Sequence, residues 1–262
     1  MSDLPVPVAT AAPPAPEIVA LPPDVPDLTE LFTFMRDAEL RVSSLRMQIR
    51  DRVAGSTGEI ETLVDVWLRH PGQAKVVSRV GGVARDGESG GATGARYDAW
   101  VGDGVTVQRL DAGAGVLRSR PAQGPPVGAE RPDLPVFARL ASPRTPLPAG
   151  SLAETFVHPA GICRNVLASG RLSFADTRML ACGRLALVIR CDAPRSTAVL
   201  TDRPDHWLEV GVDRETGMIL LLVEHVGDQV TRHAEAVSFE PDAAVTDGDF
   251  AIHASGDIRR LY

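Results

Sequence analysis

The sequence predicts a mainly β protein, a curved antiparallel sheet or half-barrel with a few helices. Three observations predict it: period-two alternation in most segments that carry apolar residues, turn residues between them, and one unambiguous meander near the C-terminus. In that meander Leu208, Val210 and Val212 alternate with Trp207, Glu209 and Gly211, so the first strand has two unlike faces. Asp213-Arg214-Glu215-Thr216-Gly217 supplies a turn, since Asp bonds local backbone and Gly accepts positive φ. Met218–Val223 is an unbroken apolar run too short for a helix between turns, and predicts a strand covered on both faces. After Gly227-Asp228, Gln229–Phe239 alternates again but is more polar, which predicts a position nearer the sheet edge.

From the start of the chain, residues 1–26 are rich in Pro, Ala and Val and predict a disordered tail. No basic residue precedes Arg36 and prolines interrupt each apolar stretch, so no secretory signal is read. As written, the chain is expected to be cytoplasmic, and extracytoplasmic if its true start lies upstream. No window of about 18 apolar residues predicts a membrane span. The folded unit is expected to be a single domain over 27–262.

Asp27 followed by Glu30 predicts a capped helix whose stripe of Leu28, Leu31, Phe32, Met35, Ala38 and Leu40 runs to about Leu40. Leu45, Met47, Ile49 and Val53 then alternate with Arg46, Gln48, Arg50 and Arg52; beyond Gly55-Ser56-Thr57-Gly58, Ile60, Val64, Val66 and Leu68 alternate with acids and Arg69. These two strands predict a hairpin with arginine-to-acid pairs on its outer face. His70-Pro71-Gly72 turns the chain into a strand over Gln73–Val80, and Gly81–Gly94 reads as a mobile loop. Strands flank Gly102-Asp103-Gly104, with Tyr97, Ala99 and Val101 before it and Val105 and Val107 after it, and Val116–Ser119 adds a short one. Prolines between Arg120 and Pro148 predict a long irregular connection. Ser151–Phe156 and Pro159–Ala168 predict short helices, and Gly183 to Cys191 another strand leading into the meander. Phe250 and Ile252 are expected to pack at the sheet edge.

At 262 residues and 44% hydrophobic content the chain can fill a real core. A net charge of −7, from 34 acidic against 27 basic residues, gives no reason to expect nucleic acid. Lys75 is the only lysine. Cys163, Cys182 and Cys191 fit no zinc or Cys-x-x-Cys spacing and are expected to be free thiols, with Cys182 and Cys191 on opposite faces of one strand. Neither metal nor cofactor is predicted: His225 and His233 lie on adjoining strands without a third ligand, and Asp205-His206 reads as a turn before a strand. Gly87-Glu88-Ser89-Gly90-Gly91 does not match a nucleophile elbow. No catalytic residue is therefore assigned.

The Leu28–Leu40 helix, the hairpin through Leu45-Met47-Ile49, Leu68-Arg69-His70-Pro71-Gly72, Tyr97-Asp98-Ala99-Trp100-Val101-Gly102-Asp103-Gly104 and Val212-Asp213-Arg214-Glu215-Thr216-Gly217 resemble the outer-membrane lipoprotein carrier superfamily (LolA-like, RseB-like). The resemblance covers about Asp27–Ile252. It implies a half-barrel with an apolar inner surface lidded by helices, binding an acyl chain or a lipidated protein. On this reading the ligand-binding floor comprises Leu45, Met47, Ile49, Val64, Val66, Leu68, Tyr97, Val101, Leu220 and Leu222, if these share one face. The alternatives are that the helices fill that face as ordinary core, and that the domain binds a protein partner through its proline-rich tail and loop.

Overall fold

The computed structural model describes residues 20–22, 24–56, 58–81, 97–122, 143–194, 204–252 and 259–261. Most of the proline-rich start, of the glycine-rich loop and of the connection before Pro148 lies outside the described residues. The described chain forms α1 (Leu28–Arg36), β1 (Ser44–Gly55), β2 (Gly58–Arg69), β3 (Gln73–Val80), β4 (Tyr97–Gly102), β5 (Thr106–Asp111) and β6 (Val116–Pro121). After these come α2 (Leu152–Val157), α3 (Ala160–Asn165), β7 (Arg171–Met179), β8 (Leu185–Asp192), β9 (His206–Asp213), β10 (Ile219–Val226), β11 (Gln229–Pro241) and β12 (Arg259–Leu261).

All twelve strands join one sheet in the order β12-β6-β5-β4-β3-β2-β1-β11-β10-β9-β8-β7. It is two meanders set back to back. The N-terminal one steps outward from β1 to β6, the C-terminal one steps inward from β7 to β11, and antiparallel pairing of β1 with β11 is the seam between them. The two end strands, β12 and β7, do not pair with each other, so the sheet stays open as a barrel. Only β12 runs parallel to its neighbour, β6.

The predicted elements are largely found, with four corrections. β11 lies at the centre of the sheet rather than near an edge: its polar residues mark an outward face, while Ala234 and Ala236 are buried on the other. β7 and β12 were not expected. Both are end strands with mostly exposed side chains, so they lack a buried stripe that sequence could reveal. Cys182 lies in the turn before β8, not within that strand, although all three thiols are free.

α1 begins with a reciprocal cap, in which Glu30 N–H donates to the Asp27 carboxylate at 2.8 Å and Asp27 N–H to that of Glu30 at 2.9 Å. This satisfies donors that a helix start leaves open, and is worth about 1 kcal/mol. Leu31, Phe32 and Met35 enter the core. Just upstream, Leu21 packs against the same core, and Arg214 donates to the carbonyls of Pro22 and Asp24 at 2.8 and 3.2 Å.

The helices lie on one face of the sheet. α2 contacts both β2 and β10 and so bridges the seam, where the alanines of β11 leave room for it. The opposite face has two covers of its own. Over the C-terminal meander the turn between β7 and β8 folds back, Ala181 N–H donates to Glu235 at 2.9 Å, and Leu180 approaches Gly211. A Cβ on Gly211 would lie 2.9 Å from that of Leu221 and 3.6 Å from Leu180, so the close approach requires glycine. Over the N-terminal meander, residues 243–252 cross as a strap. Ser44 Oγ donates to the Ala243 carbonyl at 2.7 Å, Arg69 pairs with Asp247, and Lys75 Nζ donates to the carbonyls of Asp249 and Ala251 at 3.0 and 2.8 Å. Phe250 is buried beneath this strap beside Arg69.

Candidate functional site

Directly opposed residues in a sheet project to the same face, so the pairings decide which predicted floor residues belong together. Leu45 faces Leu68, Met47 faces Val66 and Ile49 faces Val64. Across the seam Ile49 faces Ala236 and Asp51 faces Ala234, and Ala234 in turn faces Leu222. Leu220 sits at the register shift between Ile219 and Leu221 and is buried in the core cluster. Seven of the ten predicted residues therefore line the helix-covered face.

Val101 does not, and the Tyr97 side chain lies outside the described residues. Val66 faces Val76 on β3, and Val76 faces Trp100 on β4, so Asp98, Trp100 and Gly102 belong to the helix side and Ala99 and Val101 to the other. Trp100 is the residue that sequence reasoning missed. Its indole packs against the core and lies over Gly102, where a Cβ would come within 2.7 Å of the ring. An aromatic two residues before a glycine in one strand was the available signal.

These seven residues and Leu220 are 0–6% exposed. Leu31, Met35, Ala153, Phe156 and Cys163 from the helices belong to the same buried cluster, so the floor is filled by the chain's own side chains. The apolar row nevertheless continues past its cover. Beyond Ile49 and Val64 come Asp51 opposite Thr62, and then Val53 opposite Ile60. Val53 also faces Arg232, while Val80 faces Thr62; the register shift at Glu224/His225 sets Val230 opposite His225, on the other face. By parity Val53, Ile60 and Val80 all lie on the helix side, at one rim of three adjacent strands, and are 38, 46 and 51% exposed. A charged belt separates this rim from the floor: Arg232 holds Asp51 through two bonds of 2.8 and 2.9 Å, with Glu224 at 3.6 Å from Arg232.

On the opposite face Arg52 donates to Glu61 at 2.9 Å, with Arg50 3.9 Å from the same carboxylate, as the predicted outer pairs require. An open recess of about 380 Å³ lies beside Arg171, Arg190, Asp192 and Trp207. Both sides of the Trp207 ring are occupied: His225 stacks on it at 3.4 Å between centroids, and the Arg190 guanidinium sits 4.0 Å from its centre. Burial pushes the His225 pKa below its ordinary value. The Asp205 carbonyl accepts from Gly227 N–H at 2.8 Å, tying the start of β9 to the β10–β11 turn, which is the structural role its sequence suggested. Among the described residues no three His, Cys, Asp or Glu side chains are grouped to hold a metal ion, and no helix is long and apolar enough to cross a membrane.

An open sheet with helices on one face is the fold that the resemblance to the lipoprotein carrier superfamily implies. No family model and no curated protein matches the chain. Solved structures do. MucB is 16% identical with a TM-score of 0.48, and the match covers 87% of this chain and 63% of MucB. MucA/MucB of Pseudomonas aeruginosa matches at 15% identity and TM-score 0.47, over 87% of this chain and 61% of that one. LprF from Mycobacterium bovis matches at 11% identity and TM-score 0.39, over 83% and 94%. The chain thus spans less than two thirds of the MucB chains it matches.

Proposed function

We propose that the protein is a non-enzymatic binding protein that holds an acyl chain, free or attached to a protein, along the helix-covered face of its sheet. The observation that carries this reading is that the apolar face outruns its helices. Val53, Ile60 and Val80 continue the row of the floor and remain exposed at one rim. Contiguous aliphatic side chains left open on a folded domain mark a surface that meets an apolar partner. A ligand tail lies on this rim first, and reaches Leu45, Met47, Ile49, Val64, Val66, Leu68, Leu220 and Leu222 only when α2 and α3 give way. Each of those helices has six residues, too few to be stable alone, so their position depends on packing against the sheet. A lipidated protein would be recognised at the same rim through its acyl chain.

Native mass spectrometry of protein purified from its own host, followed by lipid extraction, tests the reading. A bound acyl species is expected, together with saturable binding of a fluorescent fatty acid. Replacing Val53 and Ile60 together by Ser should weaken that binding at least about tenfold, since two aliphatic contacts are lost. Protein that is empty and does not bind the fatty acid overturns the proposal.

A further inference from the structure

The segment that carries α2 is fastened to the sheet at one small polar junction centred on Thr145, whose side chain is buried. Gly72 N–H donates to the Thr145 hydroxyl at 2.8 Å, and the hydroxyl lies 2.7 Å from His70 Nδ1. A hydroxyl has one proton to give, so with Gly72 donating to it the Thr145 O–H is free to donate to an unprotonated Nδ1. His158, the residue that ends α2, places Nε2 2.9 Å from the Thr145 carbonyl, which can only accept. Its Nδ1 lies 3.6 Å from the Glu39 carboxylate, and Glu39 also accepts Arg144 N–H at 2.9 Å. The corner after β2, the turn after α1 and both ends of the stretch Arg144–His158 thus meet at this point.

The charges facing the junction favour a neutral His70. Its other nitrogen, Nε2, is buried without a hydrogen-bond partner, and Arg144 and His158 are its titratable neighbours. Asp103, on the β4–β5 turn packed against Gly72, spends its carboxylate on Val105 and Thr106 N–H. Glu39 alone opposes this trend, and it faces His158 rather than His70; burial holds its own pKa above the usual carboxylate range. Burial, with Arg144 and His158 adding to it, brings His70 down to about 4, and burial likewise brings His158 to about 4.

We propose that this junction is an acid-sensitive latch, in which protonation of His70 releases Arg144–His158, and α2 with it, from the sheet. Protonated Nδ1 can no longer accept from Thr145 and must turn the hydroxyl round to donate to it, while Nε2–H, already without a partner, now belongs to a buried cation beside Arg144 and His158. Opening hydrates both histidines and restores their ordinary pKa of 6.5. The closed form therefore binds fewer protons than the open one, so its advantage is complete above about pH 6.5 and declines as pH falls toward about 4. The latch concerns the attachment of α2 whether or not a ligand lies beneath it.

Hydrogen exchange on the whole chain between pH 7.5 and pH 5, corrected for the intrinsic pH dependence of exchange, is the test. Protection of Leu152–Val157 should fall about tenfold or more while that of Ile219–Val223 in β10 stays constant. His70→Asn keeps an acceptor near the position of Nδ1 but cannot titrate, and should diminish the step to the part that His158 contributes. Thr145→Val removes the shared hydroxyl, and should leave α2 weakly protected at every pH. Constant protection in the wild type, a parallel loss in β10, or an undiminished step in both variants would overturn the latch.

Discussion

The two meanders share one sheet but are built differently. From β1 through β6 the five successive pairings run without a register shift. In the C-terminal meander and at the seam, shifts fall at Gln48/Ile49, Phe174/Asp176, Ile219/Leu221 and Glu224/His225. A bulge gives one strand an extra residue, bends it and increases its twist. The bent half is also the one buried on both faces: Leu187, Val188 and Ile189 of β8 and Leu220, Leu221 and Leu222 of β10 are all buried, under helices on one side and the β7–β8 turn on the other. The regular half keeps exposed aliphatic residues at its far rim. Where the sheet bends, its neighbours can close over it. Where it runs straight, it is left partly open.

Three substitutions can break or sharpen this contrast. Leu187→Ala, in the doubly covered half, should have the largest effect, a loss of about 2–5 kcal/mol from transfer and cavity terms in urea unfolding. A loss below about 1 kcal/mol would mean that the helices pack loosely there. Val66→Trp, on the floor of the regular half, should cost about 1–3 kcal/mol, because the added ring has no room under the helices. If thermal melting instead shows the indole accommodated, an open cavity lies beneath them. Val80→Ser at the rim should change stability by no more than about 0.5 kcal/mol, as expected for a surface site. A markedly lower melting temperature would show that the rim is part of the core and not a free surface.

The strands that read most clearly from sequence are those with unlike faces, such as β1, β2 and β9, where Leu45/Arg46 or Leu208/Glu209 alternation reflects cover on one side and solvent on the other. The α1 cap was equally legible, since Asp27 and Glu30 are three apart and each satisfies the other's backbone. Faces were harder. Alternation within β4 separates Ala99 and Val101 from Asp98, Trp100 and Gly102, but only pairing with β3 decides which set meets the helices. Apolar character favoured the wrong set because the strap covers the other face. Polar alternation in β11 resembled an edge strand for the same reason: Arg232 and Glu235 are accommodated by ion pairing and by the Ala181 backbone, not by a position at the margin. The Thr145 junction was not legible, because His70, Thr145 and His158 are brought together by a connection whose course no local pattern determines.

Lys75 supplies the only side-chain amine in the protein, and the carbonyls of Asp249 and Ala251 occupy two of its three hydrogens. Burial also lowers its pKa, so a released Lys75 becomes both more accessible and more strongly basic. An amine-selective acylating reagent therefore has one internal target, and the extent of its reaction there counts molecules in which the C-terminal crossing has lifted. Detachment on the far side of the sheet can then be followed by intact mass, separately from events under the helices.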